Sequence, residues 1–236
     1  MSLSFYLCHL ILFKCYSMNS PIKVAIFASG NGSNAENIVD YFKNNDSIFI
    51  DSFYTNKADA YVIERAKNLG IHCSYYKNSD FREGSIVLDE LQRRGINFIV
   101  LAGFLLKIPE NIIQKYPNKI LNIHPALLPK FGGKGMYGDR VHQAVKEAKE
   151  KESGITIHYV NECFDDGEIV FQAKCEVLEN DGADDIAEKV HTLEYNFSII
   201  KTFVYIVNCN ATFCFISFFY CLMYSFSIHS FSAKFR

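Results

Sequence analysis

Apolar runs and amphipathic segments alternate along the chain from Ile22 to about Tyr195. Short runs rich in β-branched and aromatic residues predict buried strands at Ile22–Ala28, Ile48–Tyr54, Ile71–Tyr75, Asn97–Ala102 and Ile120–His124. The segments between them have helical spacing and predict helices at Ala35–Phe42, Ser85–Arg94 and Pro109–Tyr116. A further helix is predicted to be capped by Thr55–Asp59 and to run through Leu69, where Gly70 ends it. This alternation predicts an α/β fold with a doubly wound, mostly parallel sheet.

The pattern changes after the fifth predicted strand. Lys130–Gly138 is rich in glycine and precedes a predicted helix at Asp139–Lys149. Its position predicts a mobile flap beside a site, with a simple surface loop as the alternative. Two further strands, Gly154–Val160 and Glu168–Val177, predict a C-terminal antiparallel hairpin, and Asp184–Tyr195 predicts an amphipathic helix.

Composition divides the chain into an atypical N-terminal extension at 1–20, a domain at 21–195 and an atypical apolar tail at 196–236. The extension lacks the positively charged start of a signal peptide, so we interpret it as upstream sequence, with Met1 or Met18 as the true start. Residues Thr202–Ala233 contain no Asp, Glu, Lys or Arg. We interpret the tail as the product of a shifted reading frame or a wrongly assigned gene end. A membrane anchor is the alternative, because the run is long enough to span a bilayer.

Charge and cysteine content narrow the class of protein. The net charge of the 236 residues is −2, which provides no basic footprint for nucleic acid. The central domain holds only Cys73, Cys163 and Cys175, without zinc-like spacing or a regular disulfide framework. The sequence therefore predicts a cytoplasmic protein with reduced thiols. It predicts neither a metal site nor membrane attachment of the domain, and it leaves the oligomeric state open.

A glycine-rich turn follows the first predicted strand and opens the first predicted helix. It contains Gly30, Gly32, Ser33 and Asn34. Glycines let the backbone turn tightly, and a helix N-terminus presents free N–H groups to an anion. The turn lacks the spacing of a dinucleotide fingerprint and the lysine of a Walker loop. It therefore favours a phosphate monoester, with a turn that binds no ligand as the alternative.

The fifth predicted strand ends in two polar side chains. Asn122 and His124 are two residues apart, so in an extended backbone they project from the same face. A carboxamide and an imidazole so placed can polarise a carbonyl and transfer a proton. The alternative is a pair satisfied by backbone groups in a turn. The glycine-rich turn and Gly103–Ile108 also follow strand ends, where doubly wound sheets bind ligands.

Three motifs, Ala28–Asn34, Leu121–Pro129 and Phe164–Gly167, resemble phosphoribosylglycinamide formyltransferases in their order and spacing. The resemblance extends from about Ile22 to Tyr195. It implies a Rossmann-like formyltransferase fold and small-molecule substrates. It also implies transfer of a formyl group from 10-formyltetrahydrofolate to the amine of 5′-phosphoribosylglycinamide in de novo purine (IMP) biosynthesis.

The resemblance also implies roles for individual residues. The catalytic residues of the family correspond to Asn122, His124 and Asp165. Substrate-binding positions correspond to Gly30, Gly32, Ser33, Asn34 and Glu194. Folate-binding positions correspond to Leu105, Leu106, Lys107 and Ile108, together with Asn122. A folate-binding arginine of the family corresponds to Gly84 in a gapless alignment, or to the nearby Arg82, which we favour.

In the implied mechanism, Asn122 donates a hydrogen bond to the oxyanion that develops on the formyl group. His124 acts as an imidazolium or transfers a proton, and Asp165 raises its pKa. His158 lies near the site by chain order, either lining it or as a hydrogen-bonded core residue. Alternatives are an aminoacyl-tRNA or sugar-nucleotide formyltransferase, a formyltetrahydrofolate hydrolase, and an inactive or membrane-attached derivative.

Overall fold

A seven-stranded sheet organises residues 21–196, the part of the chain that the computed structural model describes. Its strands are β1 (Ile22–Phe27), β2 (Ile48–Thr55), β3 (His72–Tyr75), β4 (Phe98–Ala102), β5 (Ile120–His124), β6 (Glu152–Tyr159) and β7 (Ile169–Glu176). The helices are α1 (Ser33–Phe42), α2 (Val62–Leu69), α3 (Asn78–Glu83), α4 (Ser85–Arg93), α5 (Glu110–Lys115), α6 (Asp139–Glu147) and α7 (Ala183–Asn196). The predicted extension and the predicted tail from residue 197 onward lie outside the described residues.

The strand order is β3-β2-β1-β4-β5-β6-β7. The first five strands are parallel, whereas β6 pairs antiparallel with both β5 and β7. The predicted α/β class, the doubly wound sheet and the C-terminal antiparallel hairpin are therefore confirmed. Between residues 21 and 196, no helix is both long and apolar enough to cross a bilayer.

The central strands are apolar because they are covered on both faces. Val24 to Phe27 of β1 have no exposed surface, and every residue of β4 is buried. Burying such side chains supplies most of the stabilisation of a sheet with helices on both sides. An aromatic cluster of Phe27, Phe81 and Phe104 lies near the carboxyl ends of β1 and β4, with ring centroids 4.9 to 5.7 Å apart. This rigid base supports the loops at that edge.

The order of connection reverses between β1 and β4, which are neighbours in the sheet. In doubly wound sheets, the loops of two such strands leave in opposite directions, and ligands bind between them at the carboxyl edge. The Ser29 backbone amide donates a 3.0 Å hydrogen bond to the Gly103 carbonyl across this point. The glycine-rich turn and the segment after β4 are therefore fixed to each other.

One helix was not predicted. The six residues of α3 are too few to show a clear 3.6-residue pattern, and only Phe81 of this helix is buried. Gly84 ends α3 with φ +80° and begins α4. The helix predicted to be capped by Thr55–Asp59 begins later, at Val62. The other predicted elements are present, with ends that differ by a few residues.

Candidate active site

Asn122 and His124 lie at the carboxyl end of β5, and Asp165 comes from the turn between β6 and β7. Strand β5 pairs with β4 on one side and β6 on the other, which fixes the direction of both polar side chains. Asp165 has φ +52°, a left-handed conformation that aspartate tolerates better than most residues. The structure thus brings the three predicted catalytic residues together.

One hydrogen bond and one longer polar contact connect these three residues. Asn122 Nδ2 donates to Asp165 Oδ1 over 3.2 Å. His124 Nδ1 lies 3.6 Å from Asp165 Oδ2. Asn122 and His124, both on β5, therefore face the two carboxylate oxygens of Asp165.

His124 is nearly fully buried, and its Nε2 donates a 2.8 Å hydrogen bond to the Phe131 carbonyl. Burial lowers the pKa of His124 below its ordinary value, although Asp165 and the Phe131 carbonyl act in the opposite direction. Asp165 therefore acts in the expected direction, but the expected net rise of the His124 pKa is wrong, because desolvation outweighs the effect of the carboxylate. At neutral pH the imidazole is uncharged, with its hydrogen on Nε2.

Asp165 is ionised in the same arrangement. Burial alone would raise its pKa, but the neighbouring His158 and His124 imidazoles and the Gly133 amide together hold the pKa of the carboxyl below its ordinary value. The Gly133 amide donates a 2.9 Å hydrogen bond to Oδ2. The site therefore holds a carboxylate beside a neutral imidazole at neutral pH.

His158 also belongs to this cluster. The sequence had left open whether it lines the site or is a core residue. It is paired in register with Asn122 across β5 and β6. Its Nδ1 donates to the Tyr159 carbonyl over 2.8 Å, so its Nε2 is free to accept from Asn122 Nδ2, 3.0 Å away. The sequence could not predict this contact, because it depends on the register between β5 and β6.

The predicted flap contacts Asp165 directly. Besides the Gly133 hydrogen bond, a Cβ added at Gly132 would lie 3.2 Å from Asp165 Cβ and 2.5 Å from Leu128 Cδ2. Gly167, at the end of the Asp165 turn, is equally constrained, because an added Cβ would lie 1.7 Å from the Tyr159 carbonyl oxygen. These glycines allow close backbone approach around Asp165.

The glycine-rich turn lies at the N-terminus of α1. Gly32 has φ +76°, and a Cβ added there would lie 2.5 Å from Val62 Cγ2 of α2. Arg65 of α2 holds the turn from outside, donating from Nε to the Asn31 carbonyl over 2.9 Å and pairing with Glu36. The sequence did not indicate Arg65, because its partners Asn31 and Glu36 lie 34 and 29 residues away in the chain.

Glu194 lies beside the same turn, 160 residues later in the chain. It is buried, and its Oε2 accepts from Asn34 Nδ2 over 3.1 Å and contacts His191 Nδ1 at 2.9 Å. Two of the predicted substrate-binding residues are therefore in direct contact. His191 was not predicted.

The segment after β4 contains the predicted folate-binding residues. Phe104 and Ile108 are buried, Leu105 and Leu106 are half-buried, and Lys107 is exposed. The Leu105 amide donates to Ser29 Oγ over 2.9 Å. Ser29 Oγ in turn donates to Asn56 Oδ1, which leads through a 2.9 Å hydrogen bond to Asn78 at the start of α3.

Arg82 is an exposed residue of that same helix, α3. Gly84 is buried, and a Cβ added there would lie 2.4 Å from Asn111 Oδ1 and 2.5 Å from Pro109 Cγ. A side chain at position 84 would therefore require the neighbouring loop to move. Of the two alternatives, only Arg82 offers a cationic side chain at this end of the sheet.

No group of three or more His, Cys, Asp or Glu residues within 21–196 is arranged to hold a metal ion. The geometry combines a phosphate-type turn, a buried carboxylate and a neutral imidazole at one edge of a doubly wound sheet. Such a combination is typical of α/β enzymes that bind ligands at the carboxyl ends of the strands. The chain belongs to the formyl transferase family, whose pattern it matches over residues 22–202.

Several curated relatives are phosphoribosylglycinamide formyltransferases. The Haemophilus influenzae protein is 35% identical over 188 residues, covering 77% of this chain and 86% of that protein. The Bacillus subtilis protein is 37% identical over 188 residues, covering 76% and 93%. The chloroplastic protein of Arabidopsis thaliana is 42% identical over 177 residues, or 71% of this chain. The chain spans only 60% of the length of that plant relative and 58% of the Vigna unguiculata one.

Solved structures have the same fold. The phosphoribosylglycinamide formyltransferase of Anaplasma phagocytophilum aligns with a TM-score of 0.74 and 28% identity, covering 83% of this chain and 91% of that one. The glycinamide ribonucleotide transformylase 1 of Geobacillus kaustophilus aligns with a TM-score of 0.72 and 30% identity, covering 79% and 100%. These structural similarities confirm the resemblance to phosphoribosylglycinamide formyltransferases that the sequence motifs indicated.

Proposed function

We propose that this chain transfers the formyl group of 10-formyltetrahydrofolate to the primary amine of 5′-phosphoribosylglycinamide, a step of de novo purine biosynthesis. The observation that carries the proposal is the contact of Asn122 with Asp165 beside His124, at the edge that also holds the phosphate-type turn. The names of the bacterial relatives support the glycinamide substrate over an aminoacyl-tRNA, a sugar nucleotide or hydrolysis.

When bound, 10-formyltetrahydrofolate supplies the formyl group, and the substrate amine forms a new C–N bond as the bond to the folate nitrogen breaks. Asn122 is the donor for the negative charge that develops on the formyl oxygen. Loss of such a donor typically lowers the rate by about 10²–10³. Both amide hydrogens of Asn122 point to His158 and Asp165 in the structure. One of them must therefore turn to the substrate during the reaction.

His124 is suited to accept a proton. It is neutral at rest because it is buried, and its Nδ1 faces the Asp165 carboxylate. If a proton is added, the imidazolium lies between two acceptors, this carboxylate and the Phe131 carbonyl. His124 can therefore take the proton that the attacking amine loses and return it to the folate nitrogen as the bond breaks.

The two substrates bind at different ends of the site. Backbone amides of Gly32, Ser33 and Asn34 receive the phosphate, and Glu194 holds the ribose. The folate lies against Leu105–Ile108, and Arg82 pairs with its acidic end. These roles rest on the family resemblance, and the juxtaposition of Asn34 with Glu194 supports them.

Further parts of the proposal follow from the same chemistry. The formyl donor and acceptor are small molecules, and the reaction requires no metal ion and no nucleic acid. We place the protein in the cytoplasm, on the ground that its central cysteines form no disulfide framework. The described cysteines Cys73, Cys163 and Cys175 are free thiols.

A formyl-transfer assay on the full chain tests the proposal. The expected result is tetrahydrofolate production that requires both 10-formyltetrahydrofolate and 5′-phosphoribosylglycinamide. Formate release without an acceptor would indicate the hydrolase instead. Transfer to methionyl-tRNA or to an amino-sugar nucleotide, but not to the glycinamide, would contradict the proposal.

A further inference from the structure

A cavity of about 280 Å³ lies beside the start of β6. Leu127, Leu128 and Phe131 of the loop after β5 form one part of its lining. Ser153 of β6 and Gln172 of β7 form another part. The residues that line the cavity differ from all those assigned to catalysis, to the glycinamide substrate and to the folate. The fold therefore contains a second concave site that formyl transfer does not use.

The cavity exists because β6 is longer than β5. Strand β5 ends at His124, opposite Thr156, so residues 152–155 extend beyond it and have β7 as their strand neighbour. The loop of residues 127–131 lies beside this extension. Paired strands are only about 4.8 Å apart, whereas the loop leaves a space between itself and β6.

Hydrogen bonds fix the wall that the loop contributes. Thr156 is fully buried, and its Oγ1 donates to the Ala126 carbonyl over 2.6 Å and accepts from the Leu128 amide over 3.0 Å. Gln172 Nε2 donates to the Leu128 carbonyl over 2.9 Å. This wall is therefore in position before a ligand binds, which lowers the entropic cost of binding.

Ser153 places an unpaired polar group in the lining. Only 2% of this residue is exposed, and its Oγ has no hydrogen-bond partner within residues 21–196. Pairing with Cys175 of β7 holds the backbone of Ser153 in place. Buried hydroxyl groups are nearly always paired, because leaving one unpaired costs free energy. A ligand in the cavity can supply the missing partner.

Two ion pairs belong to the same lining. Lys130 Nζ lies 2.7 Å from Glu150 Oε1, and Lys174 Nζ lies 2.9 Å from Glu152 Oε2. The side chains of both lysines are exposed, and exposed ion pairs contribute little to stability. A charged group of a ligand can therefore replace one member of each pair. The four charges sum to zero.

This balance of charge favours a zwitterion. Its carboxylate accepts from the lysine of one pair, and its ammonium group donates to the glutamate of the other pair. Ser153 Oγ can donate to the same carboxylate. A ligand with a single charge would gain only one of these contacts and would leave a net charge in the cavity.

The remaining lining is suited to an apolar side chain. Leu128 and Val145 are buried, and Phe131 is half-buried. Sites for drug-sized ligands have volumes of about 300–1,000 Å³. The cavity is at the lower limit of that range and therefore fits a smaller molecule.

We propose that this cavity binds a small zwitterion with an apolar side chain, a molecule of the α-amino acid class. The bound molecule contacts Phe131 and through it acts on the catalytic cluster. The site is additional to the formyl-transfer site, and binding to it requires neither substrate of that reaction.

Phe131 connects the cavity with His124. It lines the cavity, and its carbonyl accepts the 2.8 Å hydrogen bond from His124 Nε2. Phe131 has φ +56°, a left-handed conformation that is unfavourable for a bulky residue. A ligand that packs against Phe131 stabilises this conformation, because it binds best to the state in which Phe131 lines the cavity. Binding should therefore change the environment of the His124 ring.

The first test is calorimetric binding of L-leucine to the full chain. Isocaproate is leucine without the ammonium group, isoamylamine is leucine without the carboxylate, and glycine lacks the apolar side chain. We expect leucine to bind, and each of the other three to bind more weakly by about tenfold or more. No detectable binding at millimolar leucine would overturn the proposal. Binding of isocaproate or isoamylamine as tight as that of leucine would also overturn it.

Two serine variants locate the site. Ser153→Ala should weaken leucine binding about tenfold, without lowering the melting temperature of the ligand-free protein, because no existing hydrogen bond is lost. Ser52→Ala is the matched control, since Ser52 of β2 is also buried, with no partner for its Oγ in the described part of the chain. It should bind leucine like the wild type. Wild-type affinity in Ser153→Ala would overturn the proposal.

The effect on the catalytic cluster is measured at the histidine rings. In proton–nitrogen NMR spectra, leucine should shift the ring signals of His124 and leave those of His72, on β3, unchanged. Ser153→Ala should show no such shift at the same leucine concentration. Leucine binding without a change at His124 would contradict the proposed contact through Phe131. The measurement does not depend on turnover, so its failure would leave the proposed function standing.

Discussion

Asn122 and His158 face each other across two antiparallel strands, with Asn122 Nδ2 and His158 Nε2 3.0 Å apart. Because His158 Nδ1 donates to the Tyr159 carbonyl, Nε2 is the acceptor in the neutral ring. This contact fixes which end of the Asn122 amide points toward Asp165. In the proposed mechanism, His158 is therefore a positioning residue for Asn122 and need not touch the substrate.

Removing this support should lower the rate more than substrate binding. In His158→Ala, the Asn122 amide can rotate, so we expect kcat to fall about tenfold or more. The KM values of both substrates should change less than threefold. Steady-state kinetics and a melting curve measure these effects, with His72→Gln as the control. A raised KM with an unchanged kcat would mean that His158 acts on binding instead.

The pH dependence of turnover should report His124. The neutral ring is the proton acceptor, so kcat should fall as the pH decreases through the His124 pKa, which burial places below 6.5. In Asp165→Asn, the main influence that raises this pKa is removed, so the residual activity should decline only at lower pH. The kcat–pH profiles of the two proteins give the comparison. A shift of the variant profile to higher pH would contradict the assigned direction.

Ser29 should connect the predicted folate-binding segment, Leu105–Ile108, to the rest of the sheet edge. Its Oγ accepts from the Leu105 amide and donates to Asn56. Ser29→Ala removes the partner of the Leu105 amide and of the buried Asn56 side chain, and it should cost about 1–3 kcal/mol of stability. It should also raise the KM for 10-formyltetrahydrofolate more than that for the glycinamide ribotide. Chemical denaturation and steady-state kinetics test the two parts, and equal changes in both KM values would contradict the positioning role.

Arg82 should contribute to folate affinity through its charge. Arg82→Ala should raise the KM for 10-formyltetrahydrofolate about three- to tenfold at low salt, and less at high salt, because the side chain is exposed. Arg93→Ala, on the neighbouring helix α4, is the matched control, since its side chain is 74% exposed. Identical folate KM values in the two variants would remove Arg82 from the site.

Elements governed by local chemistry could be predicted closely. Strand β5 has the predicted bounds because an apolar run is followed by Pro125, which cannot donate to a ladder. Gly70 ends α2 as predicted, and it has the left-handed conformation typical of a glycine cap. Helix α3 was missed because its six residues bury little apolar surface.

The proximity of the candidate catalytic residues could be predicted from the sequence, but their electrostatics could not. Asn122, His124 and Asp165 were identified through their motifs, which do not specify burial. The pKa of His124 is lowered because the fold removes the ring from water, a tertiary effect that cannot be read from neighbours in sequence. Contacts such as Arg65 with Asn31, or His191 with Glu194 beside Asn34, likewise exist only once the helices pack together.

We propose that the Asn122–His124–Asp165 cluster performs formyl transfer. The most direct measurement is the single-turnover rate of formyl transfer from 10-formyltetrahydrofolate to 5′-phosphoribosylglycinamide by the wild-type chain and by His124→Ala. We predict that the variant has a wild-type melting profile and binds both substrates, but that its rate is lower by about 10²–10³. A correctly folded His124→Ala variant with near wild-type transfer would contradict the account.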